Sequence, residues 1–183
     1  RREMRRAVAQ EMRVVTQPSV AEVELAQALD LRVENVEREN DGTLVIRVML
    51  VDDHAVVRTG FRLLLQSLKD VSVVAEAESG EAACQRYAEL TPDVVVMDLA
   101  MPGMGGLEAL KRIRARHPQA RVLALSAHDD PMHARRALQE GALGFLSKRS
   151  APEALLEAVT TVAAGRRYLD SNLAQKLALA EIE

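Results

Sequence analysis

Tryptophan is absent from this chain, and all aromatic residues together make up 2% of it. So few rings exclude a base-stacking surface for single-stranded nucleic acid. There is one cysteine, Cys84. An internal disulfide is therefore impossible, and a reducing cytoplasm is the expected compartment. Cys84 itself reads as a small, partly buried helix residue rather than a redox centre. No apolar run reaches the roughly 18 residues of a membrane span, and the N-terminus lacks the apolar core of a secretory signal. Positive charge is not in excess either. The net charge of −3 argues against a chain-wide nucleic-acid footprint, which is usually basic. What remains is an ordinary globular balance, 48% hydrophobic and 28% charged. The 183 residues suffice for one domain with a full core plus appendages.

The most informative stretch is VVVMDLAMPGMGG, residues 94–106. Its apolar residues do not alternate with polar ones. That pattern belongs to a strand buried on both faces, as in a parallel sheet. The strand ends in one carboxylate, Asp98, and the chain then turns through Met101-Pro102-Gly103. Three more apolar runs end in polar groups. RVMLVDDH (47–54) ends in Asp52 and Asp53, RVLALSAHD (121–129) in Ser126, and GALGFLSK (141–148) in Lys148. The carboxyl ends of parallel strands share one edge, where open α/β sheets hold ligands. Three crowded carboxylates call for a cation, and hard oxygen donors suit Mg²⁺. Lys148 offers a fixed positive charge and Ser126 a hydroxyl donor. Together they suit an anion formed on Asp98 itself, an acyl phosphate made by attack of the carboxylate. The glycines after Asp98 are no nucleotide loop, since no Lys-Ser/Thr follows them.

With Asp52, Asp53, Asp98, Ser126 and Lys148 in this order and spacing, residues 45 to about 165 resemble the receiver domain of bacterial two-component response regulators. VDDHAVVRTGFRLLL and the tail GRRYLDSNLAQKLALAEIE resemble the NarL/FixJ (LuxR-type) class, closest to its GacA/UvrY branch of global regulators. The resemblance implies an α/β, flavodoxin-like fold: a doubly wound, five-stranded parallel sheet in the order 2-1-3-4-5. It implies that Asp98 is the phospho-acceptor for a sensor histidine kinase. Asp53 would bind Mg²⁺ directly, with Asp52 acting through water or as a second ligand, and the Ala100 carbonyl completing the set. Lys148 would pair with the carboxylates at rest and with the phosphoryl group afterwards. Ser126 and Phe145 would form the switch, read out on the fourth helix, fifth strand and fifth helix. Ala100 and His128 would border the approach of the hydrolysing water and set a slow loss of phosphate. Such a domain is no enzyme beyond its own phosphorylation and dephosphorylation. His54, His117, His128 and His133 lack metal-ligand spacing with one another and read as surface residues.

Turn and period signals divide the chain into a helical extension (1–43), a receiver domain (44–168) and a linker helix (169–183). Strands are expected near 45–51, 71–76, 94–98, 121–126 and 143–147. The first helix shows an apolar stripe of Val57, Phe61, Leu64, Leu65 and Leu68. Ser79 is placed to cap the second helix, and Pro131 to open the fourth. Asp170 or Ser171 can cap a final helix bearing Leu173 and Leu177, which needs a partner surface on another chain or on its own receiver.

Residues 1–43 fall outside the receiver pattern. They are similar to a helix pair of flagellar-type sigma factors, with Asp30 where such turns prefer glycine. Three readings stay open: a weak DNA- or polymerase-contacting pair, a packing or dimerisation arm, and a leader foreign to the protein. Within the family the tail leads to a LuxR-type DNA-binding domain, which does not appear before Glu183. The expected partners are a sensor histidine kinase and a second copy of the chain, with no membrane. The contrasting possibility is an interaction module that works without phosphate.

Overall fold

The computed structural model describes residues 45–127, 131–150 and 152–180. The helices expected within 1–43, and His128, lie outside the described residues. Strands and helices alternate: β1 (Ile46–Val51), α1 (Ala55–Leu65), β2 (Val71–Ala77), α2 (Gly80–Leu90), β3 (Val94–Asp98) and α3 (Gly106–Arg116). There follow β4 (Val122–Ser126), α4 (Pro131–Gln139), β5 (Gly144–Ser147), α5 (Pro152–Ala163), β6 (Tyr168–Leu169) and α6 (Ser171–Ala180). The sheet has the order β2-β1-β3-β4-β5-β6, and every neighbouring pair is parallel. No helix among the described residues is long and apolar enough to cross a membrane.

The unbroken apolar runs follow from a sheet covered on both faces. Successive side chains of a strand point to opposite sides. Met49, Val51, Val95, Met97, Val122, Ala124 and Phe145 enter one core with residues of α2, α3, α4 and α6. Val48, Leu50, Val94, Val96, Leu123, Leu125 and Leu146 enter the other, against α1 and α5. These strand residues are buried on both faces, which is why the runs are apolar throughout their central part.

The helices begin where the sequence places their signals. Ser79 Oγ accepts from the Ala82 N–H at 3.2 Å, capping α2. Proline 131 is the first residue of α4. The Asp70 carbonyl accepts from Ile46 at 2.8 Å, tying the turn after α1 to the start of β1. Leu65 is the buried residue of α1; Leu68 packs on the same core from beyond the helix end.

The sixth strand extends the expected five. Tyr168 and Leu169 pair with Gly144 and Phe145 on the outer side of β5. Glycine is required at 144, because a Cβ there would lie 2.9 Å from Leu123 Cδ1 and 3.2 Å from Tyr168 Cβ. Asp170 Oδ1 then caps α6 by accepting from the Leu173 N–H at 2.7 Å. The partner surface of α6 is its own receiver. Leu173 is buried in the core that holds Ala134, Ala137 and Phe145, with Leu169 and Leu177 packed alongside.

This docking has a measurable worth. Leu173→Ala is expected to cost about 2–4 kcal/mol, the usual range for deleting a buried leucine side chain. Leu63→Ala on exposed α1 is expected to stay within about 0.5 kcal/mol. Urea unfolding midpoints of the two variants test the contrast; equal midpoints would show that α6 is not held as described.

Candidate functional site

The carboxyl ends of β1, β3, β4 and β5 deliver the polar residues to one edge. The ladders continue one residue past the apolar runs, so the backbone of each functional residue is fixed. Asp52 donates to the Ala77 carbonyl at 3.1 Å, Leu99 to Leu125 at 3.0 Å, and Lys148 to Ser126 at 2.8 Å. Asp98 and Asp52 are 1% and 2% exposed, which rules out a solvated loop acid for either. Lys148 reaches between them. Its Nζ lies 2.5 Å from Asp52 Oδ2 and 2.7 Å from Asp98 Oδ2. Burial works against the charged ammonium, but hydrogen bonds to Asp52 and Asp98 and their charges outweigh it. The lysine's pKa is held above its ordinary value.

The turn after Asp98 is built for close approach. Ala100 N–H donates to Asp98 Oδ1 at 3.0 Å, so the carboxylate is oriented by its own loop. Gly103 takes φ +72°, a left-handed conformation that favours glycine. Gly106 opens α3 hard against the Asp98 carbonyl, leaving no room for a Cβ. The glycines therefore bring α3 up to β3 rather than cradle a nucleotide.

Asp52, Asp53, His54 and Asp98 each offer a ligand atom, and these atoms lie within 4.8 Å of one another. One ammonium faces three carboxylates. At an effective dielectric near 20, each like-charged pair at such a spacing opposes the other by roughly 3–4 kcal/mol. Asp53, a quarter exposed, is outside the reach of the lysine ion pairs described. Its Oδ1 is buried, and its polar neighbour His54 Nδ1, at 3.1 Å, is outside hydrogen-bond geometry. A buried carboxylate oxygen with spare acceptor capacity beside two further carboxylates fits a hard divalent cation, and so Mg²⁺.

Ser126 is the buried last residue of β4, paired with Ser147. Phe145 is buried to 1% exposure between Ala124 and Leu169 in the sheet register. Ala100 is exposed at the rim. Two histidines depart from the expected free surface. His117 is half-buried, its ring centroid 4.9 Å from that of Tyr87. His54 is exposed, yet its Nδ1 lies 3.2 Å from Asp52 Oδ1 and 3.1 Å from Asp53 Oδ1. Its position directly after the acid pair was the available signal; a search for spacing between histidines passes over it. Cys84 behaves as expected: it is half-buried, and burial raises its thiol pKa.

Comparison with known proteins agrees with this geometry. Residues 48–160 match the profile of the response regulator receiver domain. Response regulator UvrY of Escherichia coli K12 is 41% identical over 139 residues, covering 76% of this chain and 64% of UvrY. Response regulator GacA of Pseudomonas viridiflava is 42% identical over 135 residues, covering 74% of this chain and 63% of GacA. The chain thus spans less than two thirds of the length of these relatives. Among solved structures, a LuxR-family two-component response regulator from Aurantimonas sp. SI85-9A1 superposes with a TM-score of 0.74 at 42% identity, over 76% of this chain and 99% of that one. The receiver domain of a NarL response regulator from Mycobacterium tuberculosis gives 0.64 at 40% identity, over 67% and 98%.

The charge arrangement predicts opposite effects for two neighbours. Lys148→Ala strands two buried carboxylates and is expected to destabilise the metal-free protein by roughly 3–5 kcal/mol. Asp53→Ala removes one like charge and is expected to leave stability level or raise it. The lysine's folded pKa is the higher one. Its contribution is therefore full below the ordinary lysine value and is lost as pH rises through the raised folded value, in the region above about pH 10. Thermal melts of both variants without metal, and an alkaline titration of the parent chain against Lys148→Ala, check the signs.

Proposed function

The chain belongs to the response regulator receiver domain family, and on that premise we propose that it accepts a phosphoryl group from a sensor histidine kinase on Asp98 and thereby controls transcription. The observation that carries this reading is the Lys148 ammonium shared by Asp52 and Asp98 in a buried, three-carboxylate pocket. An oxygen of Asp98 attacks the phosphorus of the donor phosphohistidine. A P–O bond forms, the P–N bond breaks, and the imidazole leaves with a proton. Mg²⁺, when bound, neutralises the charge of the incoming group; Asp52, Asp53, Asp98 and the Ala100 carbonyl are the residues assigned to hold it. Lys148 exchanges its carboxylate partner for a phosphoryl oxygen, and the Ser126 hydroxyl donates to another. Phe145 fills the space behind Ser126 and transmits the change towards α4, β5 and α5.

The wider role rests on the same premise. UvrY and GacA are response regulators, and a cytoplasmic location and transcriptional output are proposed here by likeness to them. DNA contact is assigned to a LuxR-type domain outside the present sequence, or weakly to residues 1–43. A homodimer is part of the proposal. The apolar face of α6 is spent on its own α4, which favours residues 1–43 over α6 as the dimer element. Light scattering at tens of micromolar should give a dimer for the full chain and a monomer once residues 1–43 are removed; equal masses reject that assignment. A phosphate-independent interaction module is not favoured, because it has no use for an intact acid pocket.

Incubation with acetyl phosphate and Mg²⁺ should add one labile phosphoryl mass, absent in Asp98→Asn and in Asp53→Ala. No addition to the parent chain would sink the proposal. Ala100 cannot hold a water in line for hydrolysis, which removes part of the positioning that catalysis needs. The phosphorylated form is therefore expected to decay over minutes to hours. Ala100→Asn should speed the decay, and His128→Ala should change it by a smaller factor.

A further inference from the structure

We propose that Arg58 is a positioning residue for the cation pocket: its guanidinium holds the peptide between Asp52 and Asp53 and so sets how Asp53 faces the ion. The inference rests on the metal-dependent phospho-acceptor reading given above.

Lys148 fixes Asp52 and Asp98 through their carboxylates, and Asp53 lies outside those pairs. The placement of Asp53 therefore depends on its backbone. The strand ladder holds that backbone as far as the Asp52 N–H, which donates to the Ala77 carbonyl at 3.1 Å. At the other end of the same residue, the Asp52 carbonyl accepts from Arg58 Nη1 at 2.6 Å. A peptide unit is planar, so a bond to this carbonyl also orients the N–H and Cα of Asp53. The next tether is of a different kind. The His54 carbonyl accepts from the Arg58 backbone N–H at 3.1 Å, a bond that any residue but proline would supply at 58. The hold on the Asp52 carbonyl comes from the side chain.

The guanidinium is itself aimed. Arg58 Nε lies 3.3 Å from Glu76 Oε2 on β2, and Glu76 Oε1 lies 3.0 Å from Arg62 Nε, one turn further along α1. Glu76 and Arg62 are each more than a third exposed, so these ion pairs stabilise the fold little. Arg58 is 14% exposed, and its bond to the carbonyl is shielded and charge-assisted. A planar fork serves the carboxylate and the carbonyl together, whereas a lysine ammonium keeps the charge and loses the fork.

Charge and position predict opposite signs. If Arg58 acted on the pocket only as a nearby cation, its removal would strengthen Mg²⁺ binding. If it orients Asp53, its removal weakens Mg²⁺ binding. A bond that merely anchored α1 to β2 would change stability and leave Mg²⁺ affinity alone.

Calorimetric titration of the full chain with Mg²⁺, paired with urea unfolding of the metal-free protein, separates the three. Mg²⁺ affinity is expected to fall about ten-fold in both Arg58→Ala and Arg58→Lys, at the lower end of what outer partners of a metal ligand contribute. Glu76→Gln, which loosens the guanidinium without removing it, should lower affinity by a smaller factor. The His54 N–H, which donates to Asp52 Oδ1 at 2.8 Å, should exchange with deuterium faster in metal-free Arg58→Lys than in the parent. Parent-like or tighter Mg²⁺ binding in Arg58→Lys, whatever its unfolding midpoint, overturns the proposal and leaves the Mg²⁺ pocket intact. A parent chain that binds no Mg²⁺ overturns the pocket reading itself, and this inference with it.

Discussion

Two carboxylates and one ammonium, drawn from three different strands, share a space almost closed to water. Asp52, Asp98 and Lys148 satisfy one another only if β1, β3 and β5 all stop at the same level. Strand length, register and the tight turn at Gly106 are therefore coupled to the site. A slip of one residue in any of these strands would send its side chains to the opposite face and separate the three charges. The same arrangement is electrically incomplete, since Asp53 adds a third negative charge that Lys148 does not answer. Structure and chemistry meet at that deficit. It costs the resting protein stability, and it is also what gives a cation a reason to enter.

Much of this was legible in the sequence because both signals are local. An apolar run that fails to alternate declares a strand covered on both faces, and the polar residue ending it declares where the strand leaves the core. Parallel topology then makes neighbours of Asp98 and Lys148, fifty residues apart. Caps were legible for the same reason: Ser79 and Asp170 act on amides three residues ahead.

The remainder depended on contacts that carry no period. Two residues, Tyr168 and Leu169, are too few to display alternation, so the sixth strand could not be read from the tail. The apolar side of α6 was visible, but an amphipathic helix does not say what covers it. His54 is exposed as expected, but its contact with the acids was not foreseen: one edge of a ring can face water while the other faces two carboxylates. The need for glycine at 106 carries no local signal either; it comes from the carbonyl of Asp98 pressed against it.

The position of Phe145 has a mechanical consequence. Its ring fills the core on the side that also receives Leu173, with Leu169 as its partner across the strand pair. Interiors packed to crystal density have no slack to absorb a displaced ring. The sheet edge and the tail helix thus share one core with this aromatic, so a larger or smaller residue at 145 has to be accommodated by the same cluster that seats Leu173.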